Sequence, residues 1–476
     1  MNTPKHNGFA RTKTTNGAGA FTSTNNKLVD LFFNIGAARN NLEGIRRNFA
    51  DAVKQDELKA TAILLWARDI RHNGAGERIV FRTLLKDLIS MNKPGYTKKV
   101  VELIPEIGRF DDLKATYGTR LEKVATTLWA DAILANNVLA AKWAKRDDKI
   151  LQKAMNMNEA QLRRLLSSVR KKFIPEAKMC ANEWEAIEYD KIPSVCGMRH
   201  ANAFKRHDGE RYEAFINSKE TKVNASAAFP HDVYRMYKCG ENAESVTKYW
   251  ENLPQLELMG NVLPIVDVSG SMCYPASGKI SCMDVSISLG TYLSQQVKGI
   301  FQNTMLTFSE NPTLVSIPKT RDIGQIFNFV QRIQWGGSTN IEASYDLILT
   351  KAKQMNAAQK DMPTHLLILS DMQFNECART YTYNRKTGKY EYGTKPETVL
   401  ENMKKKFQAA GYKMPNLVFW NLSASYGNYP CTSSENGVAL VSGFSPNVLK
   451  AILKGEEITP VTIMNEAIKP FIAMLQ

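Results

Sequence analysis

The peptide Asp267-Val268-Ser269-Gly270-Ser271-Met272 follows a short apolar run, Val262–Val266, and sets one carboxylate and two hydroxyls close together in the chain. If the run is a strand of an open α/β sheet, the peptide lies at its carboxyl end, where such sheets bind ligands. Hard oxygen donors in that arrangement suit Mg²⁺ or Mn²⁺ in a partly hydrated octahedral shell. Two later loops can add oxygens: Gly336-Gly337-Ser338-Thr339-Asn340 before a helical pattern, and Asp371 after the apolar run Leu366–Leu369. The competing reading is that these Ser and Asp residues only cap helices and turns. No nucleophile–base pair accompanies them and no HExxH occurs among the 6 histidines, so the expectation is a binding site in a non-enzymatic protein.

A second chemistry is written in cations. Lys142, Lys145 and Arg146 form one cluster, Arg163, Arg164, Arg170, Lys171 and Lys172 a second, and Arg199, His200, Lys205, Arg206 and His207 a third. Cations fixed on a rigid scaffold neutralise phosphates and give salt-dependent binding. Phe173, Phe204 and Tyr212 lie near them in sequence and could stack on unpaired bases. Each cluster could instead be a solvated helix face, with i,i+4 partners such as Glu159 to Arg163. Smaller signals point elsewhere. HNGAGER at 72–78 lacks the GK[ST] of a phosphate-binding loop, and its Gly74 and Gly76 read as the end of one helix. Asp111 and Asp112 could be a metal pair but read rather as N-capping the following helix. Cys196 and His200, four apart, could ligate a metal but lack further ligands nearby in sequence.

The chain has 476 residues, a length for two or three domains. At 43% hydrophobic and 23% charged it is globular in composition. The net charge of +15 calls for an acidic partner, with nucleic acid the usual one. Residues 1–258 hold 42 Lys and Arg against 31 Asp and Glu; residues 259–476 hold 20 against 16, so the basic surface belongs to the first part. No apolar window reaches about 18 residues, so no membrane span is expected. The 7 cysteines are scattered and odd in number, which suits a reducing, cytoplasmic setting better than a disulfide framework.

These residues need elements to hold them. Residues 1–24 read as a flexible arm. Helical periodicity then runs to about residue 258, as in Leu28, Leu31, Phe32 and Ile35, with one long helix expected over 119–145. Many helices on short turns suggest an α-solenoid. From residue 259 apolar runs alternate with amphipathic helices, the βαβ texture of a mostly parallel sheet. Leu314–Ile317 follows Thr304–Phe308 too closely to be parallel to it. Pro264 belongs at its strand's entry, residues 380–393 form a hairpin insertion, and residues 446–476 are helices packing back on the helical domain.

The strand-end peptide, the GGST loop and the LSD at 369–371 together resemble the metal-ion-dependent adhesion site of von Willebrand factor A domains, over residues 259–445. The resemblance implies direct metal ligation by Ser269, Ser271 and Thr339. It puts Asp267 and Asp371 behind water and leaves one metal position for a partner protein's carboxylate. With NGAGAFTSTNNKLVDLFF (16–33), ARDIRHNGAGERIVFRTLL (67–85), IPEIGRFDDL (104–113) and IPSVCGMRHANAFKRHDGERY (192–212), the chain resembles the TROVE or Ro ribonucleoprotein family, and more closely an uncharacterised TROVE-like branch found widely in viral genomes. That resemblance implies a HEAT-like helical domain over 25–258 that closes into a ring, and single-stranded, misfolded or small structured RNA as partner. In a closed ring, residues 20–35 should meet residues 440–476. The rival expectation is a protein–protein adaptor or virion component that grips an acidic residue through the metal.

Overall fold

Strand β1, Val262–Asp267, is buried along its whole length, as a strand covered on both faces must be. Its neighbours are β2 (Thr304–Phe308), β3 (Leu314–Ser316), β4 (His365–Ser370), β5 (Asn416–Asn421) and β6 (Val438–Ser442). The six make one sheet in the order β6-β5-β4-β1-β2-β3. All pairs are parallel except β2–β3, which is antiparallel as the short connection requires. This computed structural model describes residues 11–91, 94–171, 174–255, 261–277, 280–308, 312–333, 341–374, 381–384, 389–392, 399–424, 427–449, 452 and 458–476. The chain leaves β1 on one side to form β2 and β3, then returns to the other side for β4. The β1–β4 boundary is therefore the topological switch point, and Asp267 and Ser370 end the two strands there. Pro264 is the third residue of β1 rather than its entry. It pairs with Leu367 of β4, while the ladder to β2 begins only at Ile265.

The chain divides into two compact units. The sheet unit comprises residues 1–48, 256–321 and 325–466; the helical unit comprises 49–255, 322–324 and 467–476. The start of the chain thus groups with the sheet. Residues 11–24, expected as a flexible arm, contain an antiparallel ribbon of Arg11–Lys13 and Gly19–Phe21. Phe21 and Tyr429 exchange backbone hydrogen bonds of 2.9 and 3.0 Å. The next helix, Lys27–Ile35, buries Val29, Phe33, Asp30 and Asn34 as well as the expected stripe. Its polar residues have partners: Asp30 accepts from the Thr24 amide at 2.7 Å and the Thr24 hydroxyl at 2.6 Å. It lies against β6, where Ser442 Oγ donates to Phe32 O at 2.9 Å and accepts from the Gly36 amide at 3.0 Å. A Cβ on Gly36 would stand 2.6 Å from Ser442 backbone atoms, so only glycine fits that approach. The contact expected between residues 20–35 and 440–476 is present, and it is internal to the sheet unit rather than a meeting of helical ends.

In the helical unit the expected helix over 119–145 is two, Glu122–Leu134 and Val138–Trp143. Asn136 sits at φ 61°, and Asn137 Oδ1 caps the second helix by accepting from the Ala140 amide at 3.0 Å. Asp112, expected only as a cap, accepts from the Arg109 amide at 3.0 Å and also from Arg68 Nε at 2.7 Å and Arg82 Nε at 2.6 Å. At 74 the turn is set by Asp69, whose carboxylate accepts from the amides of Arg71, His72 and Gly74. No helix among the described residues is long and apolar enough to cross a membrane.

Candidate functional site

The end of β1 positions the first oxygen cluster. Asp267 is fully buried; its Oδ1 accepts from the Ser269 amide at 2.9 Å and its Oδ2 from Ser370 Oγ at 2.5 Å. The short 3₁₀ turn Gly270–Cys273 then folds the chain so that Ser269 Oγ and Ser271 Oγ lie 3.1 Å apart. Beyond β4, Asp371 is 3% exposed, and Met372 adopts the left-handed region at φ 66°, a conformation uncommon for a side chain of its kind. That turn is held from outside: Asn16 Nδ2 donates to Gln373 O at 2.7 Å and Thr14 Oγ1 to Phe374 O at 2.6 Å. The ribbon near the start of the chain therefore braces the loop that carries Asp371. Burial, then the charge of Asp371, raises the Asp267 carboxyl above its usual range. Burial raises Asp371 as well, against hydrogen bonds from Ser271 and backbone amides. Among the described residues no ion pair neutralises either acid. Two buried carboxylates beside two hydroxyls and no counter-cation is a donor set that fits a hard divalent ion. Thr339, the third expected ligand, lies outside the described residues.

The second cluster is a cavity in the helical unit of about 870 Å³. Lys142 comes from the helix Val138–Trp143, Lys145 and Arg146 from the loop after it, and Arg163, Arg170 and Lys171 from the helix Glu159–Lys171; all six line it. Leu162, Leu166 and Val169 are the buried residues of that helix, and Leu166 also lines the cavity. Two of the cations are structural. Arg170 donates to Ala141 O at 2.8 Å and Ala144 O at 2.5 Å, and burial lowers its pKa. Lys142 bonds Glu176 Oε1 at 2.8 Å. Glu159 does not pair with Arg163 as the i,i+4 reading supposed; it reaches Arg146 at 3.5 Å and Lys149 at 3.8 Å. Among the described residues no acid pairs with Lys145, Arg163 or Lys171, and all three are exposed.

Comparisons with known proteins follow the same division. Residues 261–469 match the model of a domain of unknown function, DUF7788, and residues 119–257 match a second, DUF2828. The two matches part where the sequence changes from helical to alternating texture. An uncharacterized protein of Acanthamoeba polyphaga mimivirus is 26% identical, over 96% of this chain and 87% of that protein. Among solved structures, the Ro (RSR) protein of Deinococcus radiodurans is similar over 91% of this chain and 93% of that chain, at 13% identity and a TM-score of 0.37.

The remaining sequence-based candidates do not join the cavity. Arg164 is exposed but is not part of its lining, and Lys172 and Phe173 lie outside the described residues. Arg199, Lys205, Arg206 and His207 are exposed on the helix Ser194–His207, with Lys205 3.6 Å from Glu213 and the His207 ring stacked on Trp184 at 4.5 Å. Phe204 and Tyr212, expected as base-stacking aromatics, are 0% and 5% exposed. They pack edge-on against Tyr189, so they are core residues. What the sequence reading missed is Glu176, which lines the cavity from the helix Pro175–Cys180. No local spacing ties it to Lys142; the two are 34 residues apart.

Proposed function

We propose that this chain is a non-enzymatic, Ro-like RNA-binding protein that holds single-stranded, misfolded or small structured RNA on its helical unit. The observation that carries the reading is the convergence of Lys142, Lys145, Arg146, Arg163, Arg170 and Lys171 on one cavity, three of them with no acid partner among the described residues. A cavity of that size admits a nucleotide or a short stretch of backbone, and its cations supply the salt-dependent part of binding. The sheet unit's oxygen site is a separate part of the same proposal. Ser269, Ser271 and Thr339 would hold Mg²⁺ or Mn²⁺, with Asp267 and Asp371 behind them. The ion would supply a coordination position for an acidic group of a partner protein.

The test is fluorescence anisotropy of a labelled single-stranded RNA at ~50 mM salt and upward. Submicromolar binding that weakens steeply with salt is expected. Replacing Lys145, Arg163 and Lys171 together with Ala should weaken it at least tenfold without loss of helix content. Arg170 is left intact because it supports two backbone carbonyls. Absent or salt-independent binding defeats the reading and favours the adaptor.

A further inference from the structure

The helix Ser194–His207 carries Cys196 and His200 one turn apart, on the same face. That spacing alone offers two ligands. The fold adds a third from another helix: a carboxylate oxygen of Glu176, Cys196 Sγ and a ring nitrogen of His200 all lie within 4.8 Å of one another. Cys196 is buried and the other two are half-buried, so the group is screened from water but reachable. The carboxylate is already oriented. Lys142 Nζ holds Glu176 Oε1 at 2.8 Å, while Glu176 Oε2 is buried and makes no well-formed hydrogen bond, the Cys196 thiol being the donor within reach of the carboxylate. A buried carboxylate oxygen without a well-formed hydrogen bond is costly unless something binds it. Gly197, beside Cys196, leaves room for Tyr249: a Cβ there would stand 2.1 Å from the tyrosine oxygen. The turn that presents the thiol is thereby packed in place.

We propose that Glu176, Cys196 and His200 form a zinc site in the helical unit, distinct from the oxygen site at the strand ends. The donor set decides the metal. One thiolate, one imidazole and one carboxylate suit a borderline ion in tetrahedral geometry, whereas Mg²⁺ takes oxygen alone. In such a site neighbouring ligand atoms stand about 3.3–3.6 Å apart, from bonds of about 2.0–2.3 Å. The present separations, within 4.8 Å, would have to close to that on binding. Binding replaces the thiol proton with the metal and releases that proton to solvent. Three protein ligands leave the fourth position to water. The site would tie the short helix Pro175–Cys180, which borders the basic cavity, to the helix Ser194–His207.

The test uses the full chain, freed of metal by chelator and titrated with Co²⁺ and then Zn²⁺. The expected result is one equivalent of Co²⁺ with a thiolate-to-cobalt charge-transfer band, displaced stoichiometrically by Zn²⁺. Cys196→Ser should abolish the band. His200→Ala should weaken binding at least tenfold, and Glu176→Gln should weaken it by a smaller factor. Cys239→Ser and Cys273→Ser should keep the band, which separates this site from other thiols and from the oxygen site. If wild-type protein gives no such band, or Cys196→Ser retains it, the proposal is overturned. Circular dichroism of each variant separates loss of ligand from loss of fold, and the wild-type titration decides the matter without any variant.

Discussion

Each unit buries carboxylates, and it treats them in opposite ways. In the helical unit Asp112 is enclosed with Arg68, which is 1% exposed, and bonds Arg82 as well. Its charge is matched within the fold. In the sheet unit Asp267 and Asp371 are equally enclosed, yet the described residues bring them only hydroxyls and amides. Taking an anion out of water is expensive unless a cation or donors replace the water. The first arrangement completes itself and holds the frame together; the second is left open to the ion proposed for it. The basic cavity is the partial mirror image: Asp147 and Glu176 share its lining, yet Lys145, Arg163 and Lys171 have no acid partner among the described residues. Charge left unmatched where the fold could have matched it is the physical signature that separates binding sites from scaffold here.

The comparison breaks first at Asp112. Asp112→Ala should destabilise the protein by about 3–5 kcal/mol, because Arg68 is left buried and unpaired; chemical denaturation reads this directly. If Asp267→Asn costs as much in chelator, the two sites are not different in kind. The expected result is little loss or a gain, since one of two mutually repelling acids is removed. In wild-type protein, Mg²⁺ at roughly tenfold its dissociation constant should add about 1.4 kcal/mol of stability. Asp267→Ala should abolish that gain and leave RNA affinity unchanged, while Thr339→Ala should reduce it. Next in size is the tenfold RNA effect of the Lys145, Arg163 and Lys171 substitutions, with no shift in melting temperature. Smallest is Lys54→Ala. It removes an exposed 3.1 Å pair with Asp51 and should change stability by less than about 0.5 kcal/mol.

What was legible in the sequence was local. Asp267, Ser269 and Ser271 lie within five residues at the end of an apolar run, so their convergence follows from strand geometry alone. The antiparallel β3 was legible from a connection too short to cross over. The split at Asn136 could have been read from the Asn-Asn pair there, because asparagine both tolerates left-handed backbone and caps helices. The bracing of the Asp371 loop could not, since Asn16 and Gln373 are 357 residues apart. Nor could the core role of Phe204 and Tyr212 be foreseen, because aromatic residues beside cations look alike whether they face RNA or their own core. Arg170 shows the same limit. In sequence it is one cation in a row, and only the helix that it faces makes it a support for the Ala141 and Ala144 carbonyls.

The helix Lys27–Ile35 has a consequence for how the protein is made. Its seat on β6 is synthesised some four hundred residues after it. At about 5–20 residues per second, that helix waits roughly 20–80 s for its binding face to exist. In the interval residues 49–255, the bulk of the helical unit, are synthesised, while its last piece, residues 467–476, follows β6. The nascent chain therefore carries a greasy, unclaimed helix ahead of a domain still missing its last segment, and a chaperone that recognises short apolar helices has its longest opportunity here.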